Sequence, residues 1–230
     1  MAEFTVGIVG GLGPETSAKF YASVADGVYQ RTGTQPNMIM DNVPISTADL
    51  DIISKGRSEK VFSLLDRSIK RLSGIPVDLI AIPCNTVHVY FERLQAQTPL
   101  RILNIIDETV AEVKSLGVKK AGILATTTTI ESRMYQEALG KAGIGVVLPS
   151  GSAQERVAST VMRILSGTND ESDKMFLNRV ADTMAKQGAE GVILGCTDLQ
   201  LLLNSHEQVA LVDSMESLAK ATVARILGRL

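Results

Sequence analysis

The sequence predicts an α/β protein with parallel sheets, built from two similar four-strand units. Three observations lead to this prediction. Short β-rich runs alternate with amphipathic segments, a pattern typical of parallel α/β architecture. The strand candidates of the first half of the 230-residue chain are echoed in the second half. Cys84 and Cys196, the two cysteines of the chain, fall at the same place in the two halves.

In chain order, the apolar and β-branched runs predict eight strands. They are Thr5–Gly10, Met38–Val43, Asp78–Pro83, Arg101–Ile106, Lys120–Ala125, Gly145–Pro149, Gly191–Gly195 and Val209–Asp213. Helices are predicted between them, most clearly over residues 58–72 and 172–186, where apolar residues recur with a helical period. The predicted apolar faces consist of Val61, Leu64, Leu65, Ile69 and Leu72 in the first helix, and Met175, Phe176, Val180 and Met184 in the second.

The repeat is visible at three points. Val6-Gly-Ile-Val matches Ala121-Gly-Ile-Leu, 115 residues later. "VDLIAIPCNT" matches "AEGVILGCTD", with the cysteines 112 residues apart, and "NIIDETV" is echoed by "ALVDSME" after 106 residues. Such self-similarity indicates two copies of one structural unit.

Composition excludes several classes of protein. The net charge of −2 and pI near 5.8 do not suggest a nucleic-acid binder, because such proteins carry basic patches. No apolar run approaches the roughly 18 residues that a membrane span needs. The opening residues lack the pattern of a secretory signal, and two cysteines do not make a disulfide scaffold. We therefore expect a cytoplasmic protein.

Each cysteine follows a predicted strand and precedes a helical segment. Ligands of parallel α/β sheets bind at the carboxyl ends of strands, so both thiols are expected in a ligand site. Thr86 and Thr197 are candidate N-caps, and Thr197-x-x-Gln200 fits a capping box. A helix N-terminus lowers the pKa of a nearby thiol. Two thiols that face one point can invert a carbon acid, because one removes a proton from one face and the other delivers a proton to the opposite face.

Five segments, in order along the whole chain, resemble the cofactor-independent aspartate/glutamate racemase superfamily. They are "GIVGGLGPETSAKFY", "PCNTVHVYFE", "GILATTTTIESRMYQ", "GAEGVILGCTDL" and "VDSMESLAKATV". The resemblance is greatest to the aspartate racemase and broad-specificity amino-acid racemase branch. It implies an isomerase that racemises an amino acid without a cofactor or a metal, usually as a homodimer.

The same resemblance implies the fold and the site. The fold would be two Rossmann-like (flavodoxin-like) domains related by a pseudo-two-fold axis, with the active site in the cleft between them. The domains would cover residues 1–98 plus 208–230, and residues 99–207. Cys84 and Cys196 would be the acid/base catalysts, with His88 and Asp198 as supporting residues. The substrate would be bound by Gly11, Leu12, Asn85, Thr86, Thr127, Thr129, Arg156 and Thr197.

Substrate specificity is the point where this sequence departs from the resemblance. The aspartate racemases carry an arginine after the second strand, whereas the matching segment Val43–Asp51 has none. Arg156 is the remaining candidate in a matching position for binding a side-chain carboxylate, and Lys55 or Arg57 could reach the substrate if the loop folds over it. We rank aspartate or glutamate first, and neutral or basic amino acids second.

Several alternatives remain open at this point. The cysteines can be buried small hydrophobes, or Cys84 and His88 can form the nucleophile and base of a hydrolase. A maleate isomerase-like enzyme or a non-catalytic amino-acid-binding protein would use a similar cleft. Zinc binding is disfavoured because the two cysteines and two histidines lack zinc-site spacing. The glycine-rich loop at Gly10–Gly13 does not complete a dinucleotide-binding motif.

Overall fold

The structure, a computed structural model, describes residues 4–228. Its strands are β1 (Thr5–Gly10), β2 (Asn37–Asn42), β3 (Leu79–Ala81), β4 (Arg101–Leu103), β5 (Lys120–Leu124), β6 (Gly145–Val147), β7 (Gly191–Leu194) and β8 (Ala210–Asp213). Its helices are α1 (Pro14–Thr32), α2 (Thr47–Lys55), α3 (Glu59–Ser73), α4 (Phe91–Gln95), α5 (Ile105–Ser115), α6 (Thr127–Glu131), α7 (Met134–Lys141), α8 (Gly151–Leu165), α9 (Glu171–Lys186) and α10 (Ser214–Gly228). Every predicted strand is confirmed within a few residues.

The strands form two four-stranded parallel sheets with the same internal order. The first sheet is ordered β2-β1-β3-β4 and the second β6-β5-β7-β8. In the first, Ile8 of β1 pairs with Met40 of β2 and Ala81 of β3. In the second, Gly122 of β5 pairs with strands on both sides in the same way. The predicted α/β class and the repeated four-strand unit are therefore confirmed.

Several strands end earlier than predicted, and for β3 and β4 the local cause is clear. β3 stops at Ala81, because the chain then turns so that the Cys84 N–H donates to the Ile82 carbonyl oxygen at 2.8 Å. β4 stops at Leu103, because Asn104 begins a helix. The Asn104 side-chain oxygen accepts a hydrogen bond from the Ile106 N–H at 3.0 Å and caps α5.

The helix faces follow the apolar pattern, with one exception. All five apolar residues predicted on α3 are buried. On α9, Phe176, Val180 and Met184 are buried, but Met175 is 50% exposed and its prediction is wrong. Leu177, the residue after Phe176, is fully buried instead. The face of α9 that packs on the second sheet is therefore shifted by one residue from the predicted face.

Two helices each pack against elements of the other half of the chain. α10 follows the last strand of the second sheet but packs against α1 and α5. Gly27 of α1 permits this approach, because a β-carbon there would lie 2.8 Å from the Val223 side chain of α10. α5 follows the first sheet and packs against α7 and β8. One hydrophobic core cluster accordingly contains residues of both sheets, among them Ile8 and Ile123.

Strand pairing differs from the predicted domain ranges at two places. β4 lies in the predicted second range but pairs with β3 of the first sheet. β8 lies in the predicted first range but pairs with β7 of the second sheet. The helices after these strands cross between the halves, whereas the strands themselves do not. Residues 1–3 and 229–230 of the predicted first domain lie outside the described residues.

Between residues 4 and 228, no helix is both long enough and apolar enough to span a membrane.

Candidate active site

Both cysteines reach one small cavity beyond the carboxyl ends of β3 and β7. Cys84 is 8% exposed and Cys196 is 7% exposed. The cavity has a volume of about 30 Å³, room for about two water molecules. It is lined by Leu12, Leu50, Ile53, Ser54, Cys84, Asn85, Thr86, Thr126, Val161, Leu165, Cys196, Thr197 and Asp198. The matching positions of the thiols in the two sheets thus lead to a shared site.

A larger groove is separate from this cavity. It has a volume of about 630 Å³, and its walls include Arg57, His88, Phe91 and Glu137. Neither thiol lines it. Because the nucleophilic and acid/base groups converge in the smaller cavity, we take that cavity as the candidate active site.

His88 holds the loop that carries Cys84. Its Nε2 accepts a hydrogen bond from the Ile105 N–H at 3.2 Å, so the proton of the neutral ring lies on Nδ1. Nδ1 then donates to the Cys84 carbonyl oxygen at 2.8 Å. Burial lowers the pKa of His88 to about 4, which keeps the ring neutral. Both ring nitrogens are therefore occupied by the backbone, and His88 has no lone pair for the Cys84 thiol.

Asn85 is held by a buried network that joins the two halves. The Tyr135 hydroxyl of α7 donates to Asn85 Oδ1 at 2.6 Å. Asn85 Nδ2 donates to Ser214 Oγ at 2.8 Å, and Ser214 Oγ donates to the Leu194 carbonyl oxygen at 2.7 Å. Leu194 ends the strand that leads to Cys196. The network thus connects the segments of the two cysteines and fixes the plane of the Asn85 amide, whose second N–H has no protein acceptor among the described residues.

The loop of Cys196 contacts the first half of the chain. The Thr197 hydroxyl donates to the Pro83 carbonyl oxygen, next to Cys84, at 3.3 Å. Asp198 Oδ1 accepts a hydrogen bond from the Thr16 hydroxyl at 2.5 Å, and its Oδ2 lies 3.8 Å from Cys196 Sγ. Burial raises the pKa of the Asp198 carboxyl, and the Thr16 hydroxyl lowers it in part. Asp198 is thus a buried proton acceptor beside one thiol.

The thiols are not acidified as the sequence suggested. Burial raises the pKa of Cys84 to about 11, although the backbone N–H of Val87 opposes the shift. Burial, and then the nearby Asp198 carboxylate, raise the pKa of Cys196 well above its ordinary value. The segments after the cysteines form short 3₁₀ turns, Thr86–Tyr90 and Leu199–Leu201, rather than long helices. Burial outweighs the small dipole of one turn, so both thiols are neutral in this closed form.

The predicted N-caps also differ in detail. Asn85 and Asp198 stand at the cap positions of the two turns, and neither makes a side-chain cap bond. The Gln200 side-chain amide donates to the Thr197 carbonyl oxygen at 2.9 Å, so the capping box expected between these two residues does not form.

In the run of threonines at residues 126–129, a different residue from the predicted ones lines the cavity. Thr126 lines the cavity, whereas Thr127 and Thr129 do not. The Thr126 hydroxyl lies 3.0 Å from both Thr86 Oγ1 and Thr129 Oγ1, so Thr129 supports the site from behind. Four consecutive threonines leave this register ambiguous in the sequence. It is decided by where β5 ends and Thr126 caps α6.

The glycine-rich loop packs closely against neighbouring segments of the chain. Gly11 has φ of +87°, and a β-carbon there would lie 2.6 Å from the Val43 carbonyl oxygen. Gly11 itself does not line the cavity, but the neighbouring Leu12 does. Gly13 brings the backbone close to Asp198, whose Oδ1 would lie 3.1 Å from a β-carbon there.

Arg156 is not brought to the cavity. It is exposed, and its guanidinium lies 4.3 Å over the ring of Phe176 on the outer side of α8. The other predicted site residues that line the cavity are Asn85, Thr86, Thr197 and Asp198.

Sequence reasoning missed the apolar side of the cavity. Leu50 and Ile53 come from α2, and Val161 and Leu165 come from α8. The periodicity of α8 indicates an apolar face, but it does not tell which residues of that face meet α2. Thr16, which donates to Asp198, was not among the predicted site residues.

No group of three or more His, Cys, Asp or Glu side chains that could hold a metal ion occurs in the described part of the chain.

Two similar parallel sheets with a closed, thiol-bearing cavity at their strand ends define an α/β enzyme that acts on a small molecule. The profile of the Asp/Glu/hydantoin racemase family matches residues 9–222. The chain is 30% identical to the broad specificity amino-acid racemase RacX of Bacillus subtilis (strain 168), over 97% of this chain and 98% of that protein.

Solved structures agree. A Yersinia pestis protein classed as an Asp/Glu racemase superposes with a TM-score of 0.84 at 27% identity, covering 97% of this chain and 99% of that one. An aspartate racemase homologue from Pyrococcus horikoshii OT3 has a TM-score of 0.77 at 24% identity, with the same coverage, and supports the fold. The chain therefore belongs to the Asp/Glu/hydantoin racemase family, and it is an isomerase of the racemase type.

Proposed function

We propose that the protein racemises a free amino acid by proton transfer between Cys84, Cys196 and the two faces of the substrate α-carbon. The observation that carries this proposal is the arrival of both thiols in one cavity from equivalent positions of two similar sheets. Inversion needs one group to remove a proton from one face and a second group to supply a proton to the other. A pair of thiols related by the repeat meets that requirement.

The protonation states fit a resting enzyme that becomes active when substrate binds. Both thiols are neutral in the closed cavity because burial disfavours the thiolate. A substrate ammonium group brings a positive charge into the cavity, which favours ionisation of a nearby thiol. Asp198, next to Cys196 Sγ, can accept the proton that this thiol gives up. One thiolate and one thiol then face the α-carbon.

The polar part of the cavity suits the carboxylate and amino groups of an amino acid. Thr86, Thr126 and Thr197 offer hydroxyls, and Asn85 offers its remaining N–H. Negative charge that spreads from the carbanion onto the carboxylate is stabilised by such preorganised donors. This chemistry requires neither pyridoxal phosphate nor a metal ion, and we expect activity without either.

The geometry disfavours the hydrolase alternative. A Cys84–His88 dyad needs a free imidazole nitrogen directed at the thiol, and both nitrogens of His88 interact with the backbone. A maleate isomerase-like reaction would leave a covalent adduct on a cysteine, which mass spectrometry of the trapped enzyme detects. A binding protein without catalysis would produce no exchange of the α-hydrogen.

The test uses single enantiomers of a panel of amino acids in deuterated water, with chiral chromatography and mass spectrometry of the products. A two-thiol mechanism predicts that the newly formed enantiomer carries solvent deuterium at the α-carbon. Cys84→Ala and Cys196→Ala should each abolish racemisation while leaving the fold intact by circular dichroism.

Ser68→Ala is a matched control, because it removes one γ-atom from a fully buried residue that does not line the cavity. It should retain activity. Near-wild-type racemisation in either cysteine variant would contradict the two-thiol mechanism. We also propose a homodimer, as the resemblance implies, and light scattering of the purified protein measures its mass directly.

A further inference from the structure

The cavity has one polar and one apolar side. The polar side carries the thiols, the threonines and Asn85. The apolar side is formed by Leu12 from the loop after β1, Leu50 and Ile53 from α2, and Val161 and Leu165 from α8. With the amino and carboxylate groups of a substrate on the polar side, its side chain must extend between α2 and α8.

Among the residues that the structure describes, no cation lines this cavity, and Asp198 is the one carboxylate that does. Asp198 lies beside Cys196 and already accepts hydrogen bonds from Thr16 and the thiol. Ser54, which α2 also contributes to the cavity wall, donates its hydroxyl to the Asp51 carbonyl oxygen at 2.7 Å. The apolar side therefore offers neither a positive charge nor a free hydrogen-bond donor to the end of a side chain.

Basic residues of the surrounding segments are engaged elsewhere. Lys19 of α1 donates to Gln200 Oε1, next to the Cys196 loop. Lys55 and Lys60 pair with aspartates of α2 at 2.8 and 2.7 Å. Arg57 lines the larger groove, and Arg156 lies over an aromatic ring of α9. A substrate carboxylate between α2 and α8 would thus be buried without a partner, which is strongly unfavourable.

We propose that the substrate is an amino acid with an uncharged aliphatic side chain, such as leucine, methionine or valine, an inference that rests on the racemase function proposed above. Leu50, Ile53, Val161 and Leu165 bind that side chain by apolar contact. An acidic side chain is rejected because no cation of the described residues lines the cavity. A basic side chain is rejected because the carboxylate of Asp198 lies on the polar side.

The closed cavity is smaller than any of these substrates, so α2 and α8 must separate for entry. α2 contacts α6 of the second half and forms part of the cavity wall. When the two helices close again, the same apolar residues exclude water from the side chain.

The experiment measures kcat/KM of the wild-type protein for both enantiomers of leucine, methionine, valine, aspartate, glutamate and lysine. We expect the aliphatic amino acids to exceed the charged ones by about 100-fold or more, because a buried unpaired charge is poorly tolerated. A preference for aspartate, glutamate or lysine would overturn the inference and leave the racemase function standing. Loss of α-hydrogen exchange for every amino acid would instead refute the proposed function, and this inference with it.

A charge introduced into α2 provides a second, independent measurement. Leu50→Arg places a cation at a partly exposed position of the cavity wall, and it should raise the aspartate-to-leucine ratio of kcat/KM by about tenfold or more, since the pair is charge-assisted. Ile52→Arg is the matched control. Ile52 is 47% exposed and points about 200° away around the same helix. If Leu50→Arg shifts the ratio no more than Ile52→Arg does, α2 does not contact the side chain and the inference fails.

Discussion

The buried hydroxyl of Tyr135 provides a sharp test of the network behind the active site. Tyr135 and Ser214 are both fully buried, and Asn85 is 1% exposed. Tyr135→Phe keeps the ring and its packing but removes the donor to Asn85 Oδ1. The amide oxygen is then buried without a hydrogen bond.

The magnitude follows from this geometry. Removing one partner of a buried hydrogen bond leaves the other unsatisfied, which destabilises a protein by about 1–3 kcal/mol. The 2.6 Å separation and full burial favour a value near the middle, about 2 kcal/mol. For a chain of this length, about 2–4 °C of melting temperature is lost per kcal/mol, so the midpoint should fall by roughly 4–8 °C. The amide also gains freedom to rotate beside Cys84, and kcat should fall more than KM rises.

Thermal unfolding by circular dichroism and racemisation kinetics are the two assays. Tyr29→Phe is the control, because Tyr29 is 50% exposed and its hydroxyl makes no hydrogen bond to the described residues. Its melting temperature should stay close to that of the wild type, since such surface changes are usually within about 0.5 kcal/mol. If Tyr135→Phe has the same melting temperature and the same kcat as this control, the hydrogen-bond network does not hold Asn85 in place.

Two further predictions concern pH. The pKa of His88 is lowered from 6.5 to about 4 in the folded protein, so on acidification the unfolded chain takes up this proton first. The folded protein therefore loses about 3 kcal/mol of stability, fully present above pH 6.5, as the pH falls to 4. Urea unfolding across this range should show a weaker loss in His88→Asn, and equal slopes for the two proteins would contradict the neutral, buried imidazole. The pKa of Cys84 is raised from 9.0 to about 11, so about 3 kcal/mol present below pH 9 is lost between pH 9 and 11. Cys84→Ser, which does not ionise there, should lose correspondingly less, and the difference between the two proteins separates Cys84 from other groups such as Tyr135; parallel profiles would refute the raised pKa.

Sequence alone was sufficient for the elements and for the position of the thiols. Strands and helices are encoded by local periodicity, which is readable along the chain, and the repeat places Cys84 and Cys196 after equivalent strands. The repeat places each thiol at the carboxyl end of its own sheet, where ligands bind, but their meeting in one cavity also requires that the two sheets face each other. Asn85, Thr86, Thr197 and Asp198 lie next to the cysteines in the chain, and they reach the cavity with them.

The tertiary structure decided the features that depend on packing between distant segments. The partners of β4 and β8 depend on the path of the helices that follow them, and the face of the cavity formed by α2 and α8 depends on how two halves of the chain close together. The pKa of each thiol was misjudged because burial, which outweighs the dipole of a short turn, is a property of the surrounding fold. Arg156 lies on the outer face of its helix for the same reason: a residue's neighbours in space, unlike its neighbours in sequence, are set by the packing of the whole chain.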